Sequence, residues 1–273
     1  MSQSQEGFYA GTLKKLLDQG VLSRDHRILI VCAGLHDRDT FSSLGFKHVV
    51  LSNLDARFTG HMAPFEWSYQ DVENLTFADN EFDFCVVHDG LHHCQSPHKG
   101  LLEMHRVARL GIVVFEPRDS WVSRIAVRLN FAQEYETSPV SLDYVHGGLR
   151  NGPIPNFVYR WNEREVEKTI RTHSPWGNPR FLYFYALAIP TRLANLNNKL
   201  LVLMFKLGLP FLRLIFLVFP KQCNNFAFCA VKPVLPAGLQ PWLKLENNEM
   251  VADREWYKKR YSTAGSALPP GAS

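Results

Sequence analysis

The chain has 273 residues, 46% of them hydrophobic, enough to fill one large α/β core or two small ones. A formal net charge of +4 with no long basic run argues against nucleic acid as a partner. Five scattered cysteines, Cys32, Cys85, Cys94, Cys223 and Cys229, show no metal-ligand spacing and fit a reducing compartment rather than a disulfide framework.

Met1 to Glu6 lack a charged region followed by an apolar run, so no signal peptide is expected and a cytoplasmic location is. Residues 7 to 19 place Phe8, Leu13, Leu16 and Leu17 at helical spacing, with Gly20 as the stop signal. Arg27 to Cys32 is an apolar strand that breaks at Ala33-Gly34. A short helical pattern and Gly45 follow, then a second strand, His48 to Ser52, ends near Asp55. Strand, tight turn, helix, strand and acid form the βαβ half of a nucleotide-binding sheet. The acid falls about twenty residues past the turn, where a carboxylate accepts hydrogen bonds from ribose hydroxyls.

A third strand is expected near Phe65 to Tyr69, with Asp71 just past its end. Phe82 to His88 is a near-continuous apolar run, as a central parallel strand should be. His88, Asp89, His92, His93 and Cys94 gather at its carboxyl end. No second cluster elsewhere completes a zinc set, so no metal is expected. Ser96-Pro97 opens the next helix, and Leu110 to Phe115 is a fifth strand leading to Glu116 at the sheet edge where open α/β folds bind ligands.

These pieces in this order resemble the class I S-adenosylmethionine-dependent methyltransferases of the type 11 group. The resemblance rests on Gly34, Asp55, Asp71, Glu73-Asn74-Leu75, Phe82-Asp83 and Leu91-His92-His93, and covers residues 24 to 118 best. It implies a Rossmann-like α/β fold: a seven-stranded, mostly parallel sheet with an antiparallel last strand and helices on both faces. It also implies S-adenosyl-L-methionine as cofactor, held by Ala33, Gly34, Asp37, Asp55, Asp71, Val72 and His88. The chain departs from the family at Ile30, where an acid is usual, and at Cys32 and His36, where glycines are usual. Asp37 is the candidate replacement acid. The altered turn keeps a second reading open, a non-catalytic member of the fold serving as a partner or binding module.

Residues 121 to 138 read as a helix, and about 132 to 161 as an irregular acceptor lid rich in Gly and Pro. Asn162-x-x-Glu165 resembles a capping box opening a further helix. Phe181 to Ile189 and Asn225 to Val231 are expected as the closing hairpin. Between them an apolar insertion, about 195 to 221, is too interrupted by Lys206, Pro210 and Arg213 to span a bilayer. Two short helices broken near Gly208 are expected, available as core, as a dimer face or as a peripheral membrane contact through 200–219. The methyltransferase domain is thus expected over 1–236, and a polar, partly disordered extension over 237–273.

For an acceptor hydroxyl the chemistry needs a general base past a strand end, and His93, Glu116 and His146 are the candidates. His92 and Glu136 are further possibilities. The acceptor is expected to be a small molecule, a sugar or a lipid-linked intermediate, with cell-surface glycan biosynthesis as one setting. A nicotinamide oxidoreductase is disfavoured because no Gly-x-Gly-x-x-Gly follows the first strand.

Overall fold

The computed structural model describes residues 3–188, 208 and 214–261. Strands β1 (Arg27–Val31), β2 (His48–Asn53), β3 (Glu66–Tyr69), β4 (Phe82–His88) and β5 (Ala108–Pro117) pair in parallel, in the order β3-β2-β1-β4-β5. A two-residue pair, β6 (Tyr135–Glu136) and β7 (Asn156–Phe157), lies apart from them in the lid. Strands β8 (Arg180–Ala186) and β9 (Asn225–Val231) complete the main sheet. The last strand, β9, is inserted between β5 and β8 and runs antiparallel to both, so the seven-stranded, mostly parallel sheet is as expected.

Side-chain alternation decides which helix covers which face. Ile28 and Ile30 of β1 face one way and join Phe84, Val86 and Val113 in a core closed by α1 (Gln3–Asp18) and α2 (Leu35–Ser43). Leu29 and Val31 face the other way, with Cys85, Val87 and Val114, under α3 (Pro97–Val107) and α5 (Glu163–His173). Helix α1 buries Tyr9, Leu13 and Leu16, and ends where Gly20 turns left-handed at φ 68° while the Val21 amide donates to Leu16 O. Ser96 caps α3 through the Lys99 amide, and Asn162 caps α5 through the Glu165 amide.

The helix expected over 121 to 138 is shorter. Helix α4 spans Trp121–Arg128, because Asn130 takes φ 57° and the Phe131 amide closes back on Ala126 O. The lid after it holds short 3-10 turns and the β6–β7 pair. Much of the apolar insertion lies outside the described residues, as do both ends of the chain, including 262–273. Residues 237–261 carry a hairpin, β10 (Leu243–Glu246) with β11 (Glu249–Ala252), and a helix, α6 (Arg254–Tyr261). No helix among the described residues is long and apolar enough to cross a membrane.

Two of the motif positions prove to be braces. Asp83 accepts from the Arg27 amide at 2.9 Å and from the Arg109 guanidinium, tying β4 to its neighbours at the edge away from the ligand cavity. Glu73 accepts the Gln95 and Ser96 amides, each at 2.9 Å, and so fixes the start of α3.

Candidate active site

A cavity of about 510 Å³ opens at the carboxyl ends of β1 to β4, within the roughly 300–1,000 Å³ of small-molecule sites. Its floor is made by two turns packed together. Cys32 after β1 and Asp89 after β4 both adopt left-handed backbone, at φ 54° and 50°. Gly90 follows so closely that a Cβ there would stand 2.4 Å from the Cys32 Cβ. Cys32 therefore takes the backbone state that glycine favours, and the contact leaves no room for a side chain opposite.

Beside this floor, Asp37 in the first turn of α2 accepts from the Gly34 amide and the Tyr9 hydroxyl, both at 2.8 Å. Burial pushes its carboxyl above the ordinary value, with those two donors pulling the other way. The Tyr9 ring stacks on His88 at 4.1 Å between centroids. Burial, with His36 and His92 nearby, pulls His88 down to about 3, so the ring is neutral at pH 7.

The next two acids are already paired. Asp55 at the end of β2 receives the Arg57 amide at 3.0 Å and its guanidinium at 2.5 Å, and Arg57 holds the carboxyl below its usual range. Arg57 also reaches Asp143 in the lid at 2.7 Å. Asp71 after β3 accepts from the Glu73 amide and from Arg150, again in the lid, at 2.7 Å. Two ion pairs thus join the cavity's wall to its roof.

The fourth group is a cluster of imidazoles and carboxylates under the lid. Leu91–His93 forms a 3-10 turn, anchored by fully buried Leu91. Glu116 on β5 is buried beneath it and accepts the Gly90 and Leu91 amides at 2.9 and 2.6 Å, and His92 Nδ1 at 2.7 Å. Above, Glu136 of β6 meets His92 Nε2 at 3.2 Å and His93 Nε2 at 3.3 Å. Asn156, opposite Glu136 in the β6–β7 register, donates to His92 O. Burial lowers the His92 pKa, but Glu116, Glu136 and Asp89 outweigh it and hold the ring well above the ordinary imidazole value. Burial foremost, then Glu116, Glu136 and Asp37, push Asp89 up to about 7 against the pull of His92. Burial raises the Glu136 carboxyl, but the two histidines more than reverse this and hold it low.

Residues 44–115 match a family described as a methyltransferase domain. No curated protein matches the sequence. Among solved structures, magnesium protoporphyrin IX methyltransferase from Synechocystis PCC 6803, solved with bound SAH, is similar at a TM-score of 0.50 and 10% identity, over 84% of each chain. A possible histamine N-methyltransferase from Thermotoga maritima gives 0.46 and 14%, over 84% of this chain and 94% of its own. The fold is that of a class I S-adenosylmethionine-dependent methyltransferase.

S-Adenosylmethionine is the cofactor that this methyltransferase fold implies, and the cavity can be tested for it. Gly34, Asp37, Asp55, Asp71, Val72 and His88 all line the cavity. His36, on the same wall, has a buried Nε2 with no hydrogen-bond partner among the described residues. Size, acids and orphan nitrogen fit the cofactor. Asp55 would hold the ribose once it shares or releases Arg57.

The structure draws most of the expected methyltransferase site together and redirects part of it. His93 and His146 line the same cavity as the acids. Ala33 does not line it, being fully buried with its amide and carbonyl bonded to Ser52 O and Asn53 Nδ2. Glu116, expected as a base, is consumed by three donors and is 2% exposed, so it positions the turn rather than meeting an acceptor. His146 caps a lid turn through Asp143 at 2.9 Å. Arg57 and Arg150 escaped the sequence reading altogether. An Asp-x-Arg spacing hints at the first, whereas nothing local marks an Arg that pairs 79 residues away.

Proposed function

We propose that this chain transfers a methyl group from S-adenosylmethionine to an acceptor entering beneath the lid of residues 132 to 161. The observation that carries the reading is one cavity shared by Asp37, Asp55 and Asp71 on the cofactor side and His93 on the lid side. When bound, the cofactor supplies an electrophilic methyl on a sulfonium, already a good leaving group. The chain's own work is to align the acceptor, exclude water and remove a proton. Asp55 and Asp71 hold the cofactor's sugar and base. His93, 26% exposed with Glu136 beside it, takes the proton of a hydroxyl or amine as the new bond forms. His92, held cationic by Glu116 and Glu136, keeps that corner preorganised.

For the acceptor we favour a small sugar or lipid-linked molecule, as in cell-surface glycan assembly. The support is an exposed apolar stripe on α4, Trp121, Ile125 and Leu129, which continues the lid. A second reading, a non-catalytic partner module, draws on Asp55 and Asp71 being already paired with Arg57 and Arg150. Titration calorimetry with S-adenosylmethionine, its demethylated product and NADH separates the readings. Binding of the first two alone is expected, and heat from none of them would sink the enzyme reading. In the presence of an accepted substrate, His93→Ala should keep cofactor affinity and lose about 10²–10⁴-fold in turnover. Full turnover would remove His93 from the chemistry.

A further inference from the structure

His92, His93 and Glu136 bring three donor atoms to one point at the cavity's edge. Both Nε2 atoms converge on the same oxygen, Glu136 Oε2, at 3.2 and 3.3 Å, and all three ligand atoms lie within 4.8 Å of one another. Tetrahedral zinc with bonds of about 2.0–2.1 Å separates its ligand atoms by about 3.3 Å. Both nitrogen-to-carboxylate separations match that spacing.

Hydrogen-bond accounting points the same way. His92 Nδ1 faces the Glu116 carboxylate at 2.7 Å, and a carboxylate at that distance receives the ring's Nδ1–H. In the neutral ring Nε2 then carries a lone pair, and it points at a second carboxylate, Glu136. Two acceptors face each other across 3.2 Å, so a positive charge must lie between them. A proton satisfies that contact. His93 Nε2 is aimed at the same oxygen from 3.3 Å, so both imidazoles and the carboxylate meet at one point. A metal cation at that point would engage all three groups at once.

The surroundings complete the pattern. A metal-bound histidine commonly donates its far nitrogen to a carboxylate that fixes tautomer and orientation, and Glu116, with a fully buried side chain, does this for His92. The 3-10 turn holds both imidazoles, and the β6–β7 pair brings Glu136 down onto them. His93 also lines the cavity, so the remaining coordination position opens where an acceptor would enter. Two imidazoles and one carboxylate suit first-row divalent ions such as Zn²⁺ and not Mg²⁺, which prefers all-oxygen shells.

The geometry points to a binding site for a first-row divalent cation, Zn²⁺ foremost, formed by His92, His93 and Glu136, with Glu116 as its supporting carboxylate. This site goes beyond the methyl-transfer reading and stands without it. With the cation in place, His93 ligates instead of accepting a proton, and an acceptor hydroxyl would be held and acidified by the metal.

The test uses the full chain, stripped with a chelator and dialysed. Zn²⁺ affinity is measured by competition with a chromophoric chelator, and Co²⁺ by the visible absorption of a low-symmetry site. Wild type should bind one ion per chain at this site and develop the Co²⁺ bands. His93→Ala and Glu136→Gln should lose both signals, and Glu116→Gln should weaken Zn²⁺ binding by about 10–100-fold. His146→Ala and His98→Ala, each removing a histidine outside the cluster, should change neither. Mg²⁺ should not compete. Circular dichroism checks each fold, and if Glu136→Gln unfolds, partly exposed His93→Ala decides alone. No stoichiometric Zn²⁺ binding by wild type, or unchanged binding by folded His93→Ala, overturns the site and leaves His92 an imidazolium between two carboxylates. Cofactor calorimetry on the same samples is read separately. Zn²⁺ binding with the stated losses sustains the site even where S-adenosylmethionine gives no heat.

Discussion

Asp55 illustrates how a residue's type and its availability separate. Its position after β2 suits a ribose, yet both carboxylate oxygens already face Arg57. Charge-assisted hydrogen bonds contribute about 1.5–3 kcal/mol each, so Asp55→Ala should weaken S-adenosylmethionine binding roughly ten- to a hundredfold per lost bond. Arg57→Ala should act in the opposite direction, because the cofactor then meets an undivided carboxylate. Calorimetry on the two variants checks this pair. A weaker-binding Arg57→Ala would mean that the guanidinium itself holds the ligand. Asp55 was legible from its spacing, and Asp37 and Asp71 from the family resemblance. The arginine partners of Asp55 and Asp71 were not, since one comes from a 3-10 turn and the other from a lid whose fold no short pattern encodes.

Elements bring a different constraint, the fit of one turn against another. Gly90→Ala would drive a methyl group into Cys32 and pry apart the turns after β1 and β4. Overpacking of this kind costs about 1–3 kcal/mol, and should appear both as a lower melting temperature and as weaker cofactor binding. Unchanged values for both would show that the two turns move independently. Helix α4 poses the converse case, an apolar stripe without cover among the described residues. Trp121, Ile125 and Leu129 recur at four-residue spacing and are exposed, as are Leu217, Val218 and Phe219. Phe216, by contrast, is buried. If this stripe meets lipid-linked acceptors at a bilayer surface, the chain should co-sediment with anionic vesicles and Trp121→Asp/Ile125→Asp should not. Equal sedimentation of both proteins, or of neither, retires the membrane contact.

For the whole molecule, acid stability offers a check on burial. His88 and His105, on opposite sides of the sheet, are both pulled down to about 3, chiefly by burial. Unfolded, each takes a proton below about 6.5. Between about 6.5 and 3 the unfolded state therefore binds more protons, and stability must fall as pH falls through that window. His105→Gln removes one such group away from the cavity. Its unfolding free energy should decline less steeply with acid than that of wild type, by at most about 1.4 kcal/mol per pH unit. Parallel curves from denaturant melts would mean that His105 titrates freely in the folded chain. The sequence by itself determined the order of strands and helices along the chain and the acid, Asp55, that follows the second strand, because local periodicity and turn chemistry are encoded by a few adjacent residues. The motif resemblance added the sheet's form and the acids Asp37 and Asp71. Only the tertiary structure decided that Glu116 supports a turn, that arginines occupy Asp55 and Asp71, and that Glu136 closes over His92 and His93. Each of the contacts to Asp71, Glu116 and Glu136 joins residues 24 to 79 positions apart, where only the folded chain fixes which groups share a buried site.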